Sequence, residues 1–195
     1  MSPSTIAHSA SSSQDPHAEN SDAKDLTNAA YRGPPLPNTV SDLVLTNVLQ
    51  PHEIDERLWV PQAPDVWFRP ILFSVSQGYF VNLLRVRKSG ILSRHRHTGP
   101  VHAVVLKGRW HYLEHPWWAE EGGYAHEPPG DIHTLEVPGD VKEMITLFHV
   151  TGAYIYVDVD GKALEIEDVF SKLQKAKEHF EKVGLGADFV NQFIR

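Results

Sequence analysis

Histidine is the residue whose placement in this sequence asks for a chemical reason. Seven of the twelve histidines fall in one stretch, as His95, His97, His102, His111, His115, His126 and His133. One residue separates His95 from His97, so in an extended chain both imidazoles project from the same face. Two neutral imidazoles side by side are half of a metal site. A third donor is at hand in Gly122-Gly-Tyr-Ala-His-Glu-Pro128-Pro-Gly130-Asp-Ile-His133. There proline and glycine force a tight turn that could deliver His133 from across a small barrel. His111, His115, His126 and His149 read instead as hydrogen-bonded polar groups on strands.

Other side chains near this stretch admit two readings each. Trp110, Tyr112 and Tyr124 could line an aromatic pocket, although aromatics at a spacing of two in a strand also make core. Arg85 and Arg87 share a strand face and could hold an anionic or phenolic group, or lie on a solvated face. Trp117 and Trp118 could close a pocket mouth or a subunit interface, or pack in a loop.

The elements that must position these groups are mostly strands. From about Val40, short β-branched and aromatic runs alternate with glycine and proline at intervals of roughly ten residues, the spacing of a sandwich or barrel. The pattern predicts strands at Val66 to Ser74, Tyr79 to Arg87, Val101 to Leu106, Trp110 to His115, Thr134 to Val137, Met144 to Thr151 and Ala153 to Val157. From about 165 the period changes. Ile166, Val169, Phe170, Leu173, Ala176, Phe180 and Val183 predict one apolar helix face, with Glu165, Glu167 and Asp168 at its positive end and Gly184 as its stop. Residues 1–38, rich in Ser, Ala, Asn, Asp and Pro, predict a flexible polar tail, leaving 39–195 as a single domain.

The composition narrows the class. The chain has 195 residues, 10% of them aromatic, and can bury a core. With 18 Lys and Arg against 25 Asp and Glu, the net charge of -7 disfavours nucleic acid and anionic membrane as partners. Cysteine is absent, so no thiol can ligate a metal or attack a substrate. The first residues lack the basic start and apolar run of a secretory signal, and a cytoplasmic location is expected.

Gly90-Ile-Leu-Ser-Arg-His95-Arg-His97-Thr-Gly-Pro-Val-His102 followed by Gly108 resembles the first cupin motif, and Gly122, Pro128, Gly130 and His133 resemble the second. The phrases Trp59-Val-Pro-Gln62, Val66-Trp-Phe-Arg-Pro70, Leu106-Lys-Gly-Arg-Trp-His-Tyr-Leu-Glu114 and Glu167-Asp-Val-Phe170 are similar to the 2,4'-dihydroxyacetophenone dioxygenase family within the cupins. The resemblance implies an all-β fold, the cupin double-stranded β-helix or jelly-roll barrel, with a C-terminal α-helical segment. It implies a homo-oligomer, dimer or tetramer. It also implies a mononuclear non-haem Fe(II) centre that uses O2 to split a small aromatic ketone into an aryl carboxylate and formate. By motif position the ligands are His95, His97 and His133. His102 stands where the motif carries glutamate, as a fourth ligand or a catalytic neighbour. Glu114 is a candidate carboxylate ligand or a group orienting a ligating histidine. The same histidine pattern occurs in metal-dependent isomerases and in non-catalytic metal-binding sensor modules, so the fold does not decide among them.

Overall fold

The computed structural model describes residues 30–46, 48 and 55–195. The chain divides into the units Met1–Thr39 and Val40–Arg195, and the predicted tail lies for the most part outside the described residues.

The described residues of the second unit form twelve strands: β1 (Val60–Ala63), β2 (Val66–Ser74), β3 (Tyr79–Val86), β4 (Gly90–His97), β5 (Val101–Lys107), β6 (Arg109–Tyr112), β7 (Trp118–Glu120), β8 (Tyr124–Glu127), β9 (Ile132–Val137), β10 (Met144–Thr151), β11 (Tyr154–Val157) and β12 (Ala163–Glu167). They form two six-stranded antiparallel sheets, in the orders β1-β2-β3-β10-β5-β8 and β12-β11-β4-β9-β6-β7. This is the double-sheet jelly roll. The long strands follow the period-two rule that exposes one face and buries the other. In β5, Val101, Ala103 and Val105 are buried while His102, Val104 and Leu106 face outward.

The strands β1, β7, β8 and β12 escaped the sequence pattern because each is short and has few β-branched residues. The largest correction is at β12. Residues 163–167 pair with β11, with Ile155 opposite Ile166, so Ile166 is on an exposed edge strand rather than in a helix.

Helix α1 (Val169–Lys182) begins one residue beyond Asp168. The Asp168 carboxylate accepts from the backbone N–H groups of Phe170 and Ser171, and Ser171 Oγ accepts from the Asp168 N–H at 2.8 Å. This reciprocal cap satisfies donors that the helix cannot satisfy itself. The helix stops at Gly184, whose φ of +78° is cheap only for glycine. Its buried residues are Val169, Lys172, Ala176 and Phe180, whereas Phe170 faces solvent. Val169, Ala176 and Phe180 join Val66, Phe68, Phe73, Phe80, Trp110, Leu135 and Phe148 in one core, with Val190 and Phe193 from a 3-10 helix (Ala187–Phe193) packed beside them. No helix among the described residues is long and apolar enough to cross a membrane.

Asp168→Ala removes the cap and should cost about 1 kcal/mol. In a domain of this size the melting temperature should fall by roughly 2–4 °C, measured by calorimetry. An unchanged melting temperature would mean that α1 is held by its buried face alone.

Candidate metal centre

Strand register brings the candidate ligands together. His95 lies directly opposite His133 across β4 and β9, and His97 follows His95 on the same inward face. On the other side of β4, β11 sets Tyr156 opposite His95 and Tyr154 opposite His97. The turn before β9 is tied back by the Gly130 N–H, which donates to the His97 carbonyl at 2.9 Å. Gly130 has a φ of +95°, so the turn needs glycine there.

The imidazole rings of His95, His97 and His133 have centroids 4.8–5.1 Å apart and are all buried. One nitrogen of each lies within 4.8 Å of the others. His95 Nδ1 meets Ser93 Oγ at 3.0 Å, which leaves its Nε2 for the centre. Both ring nitrogens of His97 and Nε2 of His133 are buried without a hydrogen-bond partner among the described residues. Burial and the neighbouring imidazoles push the His95 pKa well down. Burial is also the main cause that lowers His133, to about 4, against the opposing pull of Glu127 and Asp131. Buried imidazoles with unused lone pairs, converging inside a barrel, suit a divalent transition metal.

A carboxylate completes the cluster from a position that the sequence did not single out. Glu127 is buried, pointing inward from β8 opposite Val101 of β5. Its Oε2 lies 3.0 Å from His97 Nε2, outside hydrogen-bond alignment, and 3.7 Å from His133 Nε2. The same oxygen accepts the Tyr112 hydroxyl at 2.9 Å, while Oε1 is buried with no partner. The Tyr112 ring stacks on His133 at 3.7 Å, 5° from parallel, and burial pushes its pKa well up, so it remains a donor. A signal for Glu127 did exist. It precedes Pro128, and a residue before proline favours extended backbone, yet the segment reads as a turn because of its glycines and prolines.

The other candidates are placed as follows. Glu114 lies outside the cluster; it accepts from the Thr134 N–H and hydroxyl at 2.7 Å, clamping the residue after His133. His102 is a correction: it faces out of the barrel, because Val101 and Ala103 take the inward positions of β5. Its partners are His126, His149 and the hydroxyl of Tyr124, at 2.6 Å. Tyr124 is 63% exposed and does not line the cavity beside His95 and His97. Arg85 also faces outward, stacked on Trp59 and Trp67 and paired with Glu56 at 2.9 Å. Trp110 is core, its indole N–H donating to Thr146 Oγ1 at 3.0 Å. Tyr112 alone of the four expected pocket residues lines the cavity at the triad. His115 and Asp131 form a second group with His133, in which Asp131 stands 2.8 Å from His115 and 3.8 Å from His133 Nδ1. His111 pairs with Glu136.

His95 and His97 line a cavity of about 530 Å³. Much of its wall is apolar, from Phe80, Leu84, Leu92, Leu135, Phe148 and Val150, with a few polar groups among them, which is the lining expected for a small organic ligand.

Burial of neutral histidine makes the metal-free protein sensitive to acid. As pH falls below about 6.5 the unfolded chain takes up protons that folded His133 refuses until about 4. Stability is therefore full above pH 6.5 and declines between 6.5 and 4, by about 3 kcal/mol for a shift of this size. His95 adds in the same direction. Denaturant midpoints of chelator-treated protein should already fall between pH 6.5 and 5, above the carboxylate range. A flat profile there would mean that the imidazoles are solvated.

Comparison with known proteins places this geometry. The family model of the ChrR cupin-like domain matches residues 49–155. No curated protein matches the sequence. Among solved structures, an RmlC-like cupin protein of Ralstonia eutropha JMP134 is 26% identical, covering 65% of this chain and 83% of its own, with a TM-score of 0.61. A second cupin-like protein of that organism is 24% identical over 62% and 75%, with a TM-score of 0.59. An acetylacetone dioxygenase of Acinetobacter johnsonii is 15% identical over 77% and 99%, with a TM-score of 0.61, a likeness of fold alone. With more than half of its length matched by the family model, the chain belongs to the ChrR cupin-like domain family.

Proposed function

We propose that the chain is an Fe(II)-dependent dioxygenase that cleaves a carbon–carbon bond beside a carbonyl, its substrate an aryl hydroxymethyl ketone such as 2,4'-dihydroxyacetophenone. The observation that carries this reading is the convergence of three buried imidazoles, two of which, His95 and His97, line a largely apolar cavity of about 530 Å³. When bound, the metal supplies open coordination positions and the redox chemistry that lets a chelating α-hydroxyketone react with dioxygen.

The remaining work falls to the chain. His95, His97 and His133 donate nitrogen lone pairs, and Glu127 adds an oxygen beside His97. Tyr112 fixes both Glu127, by its hydroxyl, and His133, by its ring. Glu127 Oε1, buried without a partner among the described residues, leaves the carboxylate with an unused acceptor beside the imidazoles. Phe80, Leu92, Leu135 and Phe148 exclude water and hold the aryl ring. The reaction balances: the bond between the carbonyl and hydroxymethyl carbons breaks, each carbon gains one oxygen atom of O2, and 2,4'-dihydroxyacetophenone yields 4-hydroxybenzoate and formate.

Each of His95→Ala, His97→Ala and His133→Ala should lose most bound metal by elemental analysis while circular dichroism stays native, because the apolar core does not depend on these rings. Glu127→Gln should weaken metal binding by roughly 10–100-fold. Full occupancy in any histidine variant removes that residue from the centre.

The reaction is tested with iron-loaded protein, 2,4'-dihydroxyacetophenone and, for comparison, pentane-2,4-dione, in an oxygen electrode. Labelled dioxygen should place one atom in 4-hydroxybenzoate and one in formate, and zinc-loaded protein should consume no oxygen. No oxygen uptake with either compound would sink the proposal. Turnover that proceeds equally well under argon would assign a metal-dependent isomerase or hydrolase instead.

A further inference from the structure

Away from the triad the cavity wall carries a second polar group, built around a lysine that the fold places where an apolar residue would ordinarily sit. Lys172 occupies the buried face of α1, between Val169 and Ala176, and is 2% exposed. It lines the same cavity as His95, His97 and Tyr112, and so do Gln62, Tyr154, Tyr156 and Lys175. The ring of Tyr154 is 5.6 Å from that of His95, and Lys172 Nζ is 5.6 Å from the same Tyr154 ring. One tyrosine therefore separates the metal-binding end from the lysine.

The partners of Lys172 meet its charge only in part. Its Nζ donates to Gln62 Oε1 at 2.6 Å and sits 4.1 Å over the Phe68 ring. The nearest carboxylate, Glu167, is 3.6 Å away, beyond hydrogen-bond length. Glu167 is already engaged: Lys175 donates to its Oε1 at 2.6 Å, and Tyr154 and Tyr156 donate to its Oε2. Glu167 thus faces two lysines, Lys172 at 3.6 Å and Lys175 at 2.6 Å, so one buried carboxylate is shared between two cations. The cavity lining as a whole is positive, with Arg94, Lys172 and Lys175 against Glu165. Such a cation is costly unless an anion meets it.

Resting on the dioxygenase reading above, we propose that Lys172 is a specificity-determining residue that binds the acidic ring hydroxyl of a hydroxyaryl ketone, at the opposite end of the ligand from its carbonyl. The apolar walls between the two ends accept an aromatic ring, and the ammonium has donor capacity left for an oxygen anion. Acidity matches as well. Burial pulls the Lys172 pKa down to about 8, against the opposing influence of Glu167, so the group stays mainly protonated at neutral pH. A para acyl group withdraws electrons from a phenol and lowers its pKa toward that of the lysine, the condition for a strong shared proton.

The test uses full-length, zinc-loaded protein, so that no turnover intervenes, with acetophenone, 4-methoxyacetophenone and 4-hydroxyacetophenone as ligands. Wild-type protein should bind 4-hydroxyacetophenone about tenfold more tightly than the other two. The bound ligand should show the red-shifted absorbance of its phenolate at neutral pH. Lys172→Met, close to lysine in shape, should bind acetophenone as the wild type does but lose both the preference and the shift. Equal affinity of wild-type protein for all three ketones overturns the proposal without recourse to a variant, and so does a preference that survives Lys172→Met. If none of the ketones binds, the aryl ketone reading of the cavity fails with it; if all bind equally, that reading stands and the lysine assignment alone fails.

Discussion

Three imidazoles with ring centroids about 5 Å apart share the inside of an apolar barrel, where burial favours the uncharged form of His95 and His133. Desolvation and repulsion from the neighbouring rings act together against the charged form, and His97 and His133 keep ring nitrogens that no donor among the described residues satisfies. That arrangement costs folding free energy, which a bound cation returns because it favours the neutral ring and ties up the lone pairs. Much of the surrounding structure serves this constraint. The register of β4 against β9 sets His95 opposite His133, the turn at Gly130 is held to His97, and Glu114 fastens the residue after His133. Glu127 enters the same logic as the one buried carboxylate that meets the cluster among the described residues.

The position of that carboxylate shows what a sequence motif does and does not fix. His102 stands where the first cupin motif carries glutamate, and the alternation along β5 turns it outward, with Val101 and Ala103 inward. Glu127 comes from the neighbouring strand β8, opposite Val101. A carboxylate can therefore be supplied next to the same imidazoles from one strand over, because the barrel wall defines a place in space that either strand can reach.

The histidine triad and the strands bearing it were legible because they depend on local rules. Alternation puts His95 and His97 on one face, and proline with glycine marks the turn before His133. The long strands β2, β3 and β10 were legible for the same reason. What could not be read depends on pairing between distant residues. Arg85 is drawn outward by Trp59, Trp67 and Glu56, none adjacent to it in sequence. Tyr112 and Trp110 share a strand face, and spacing alone cannot decide which of them reaches the cavity and which bonds Thr146 in the core.

Lys172 illustrates a different kind of failure. The buried positions of α1 run Val169, Lys172, Ala176 and Phe180, at steps of three and four, so the lysine sits on the apolar stripe by its own number. A pattern search that collects apolar residues passes over it and chooses Phe170 and Leu173, and Phe170 proves to be solvent-exposed. The exception carries the information. A leucine at 172 would satisfy the helix and its contacts with Phe68 and Phe80 at lower cost than a desolvated ammonium, and Glu167, which Lys172 meets at 3.6 Å, also has Lys175 as a closer counter-ion. Packing does not call for a cation there, and one carboxylate is left to serve two. The helix whose apolar face the sequence predicts is thus also a wall of the cavity, with Lys172 lining the same space as His95 and His97.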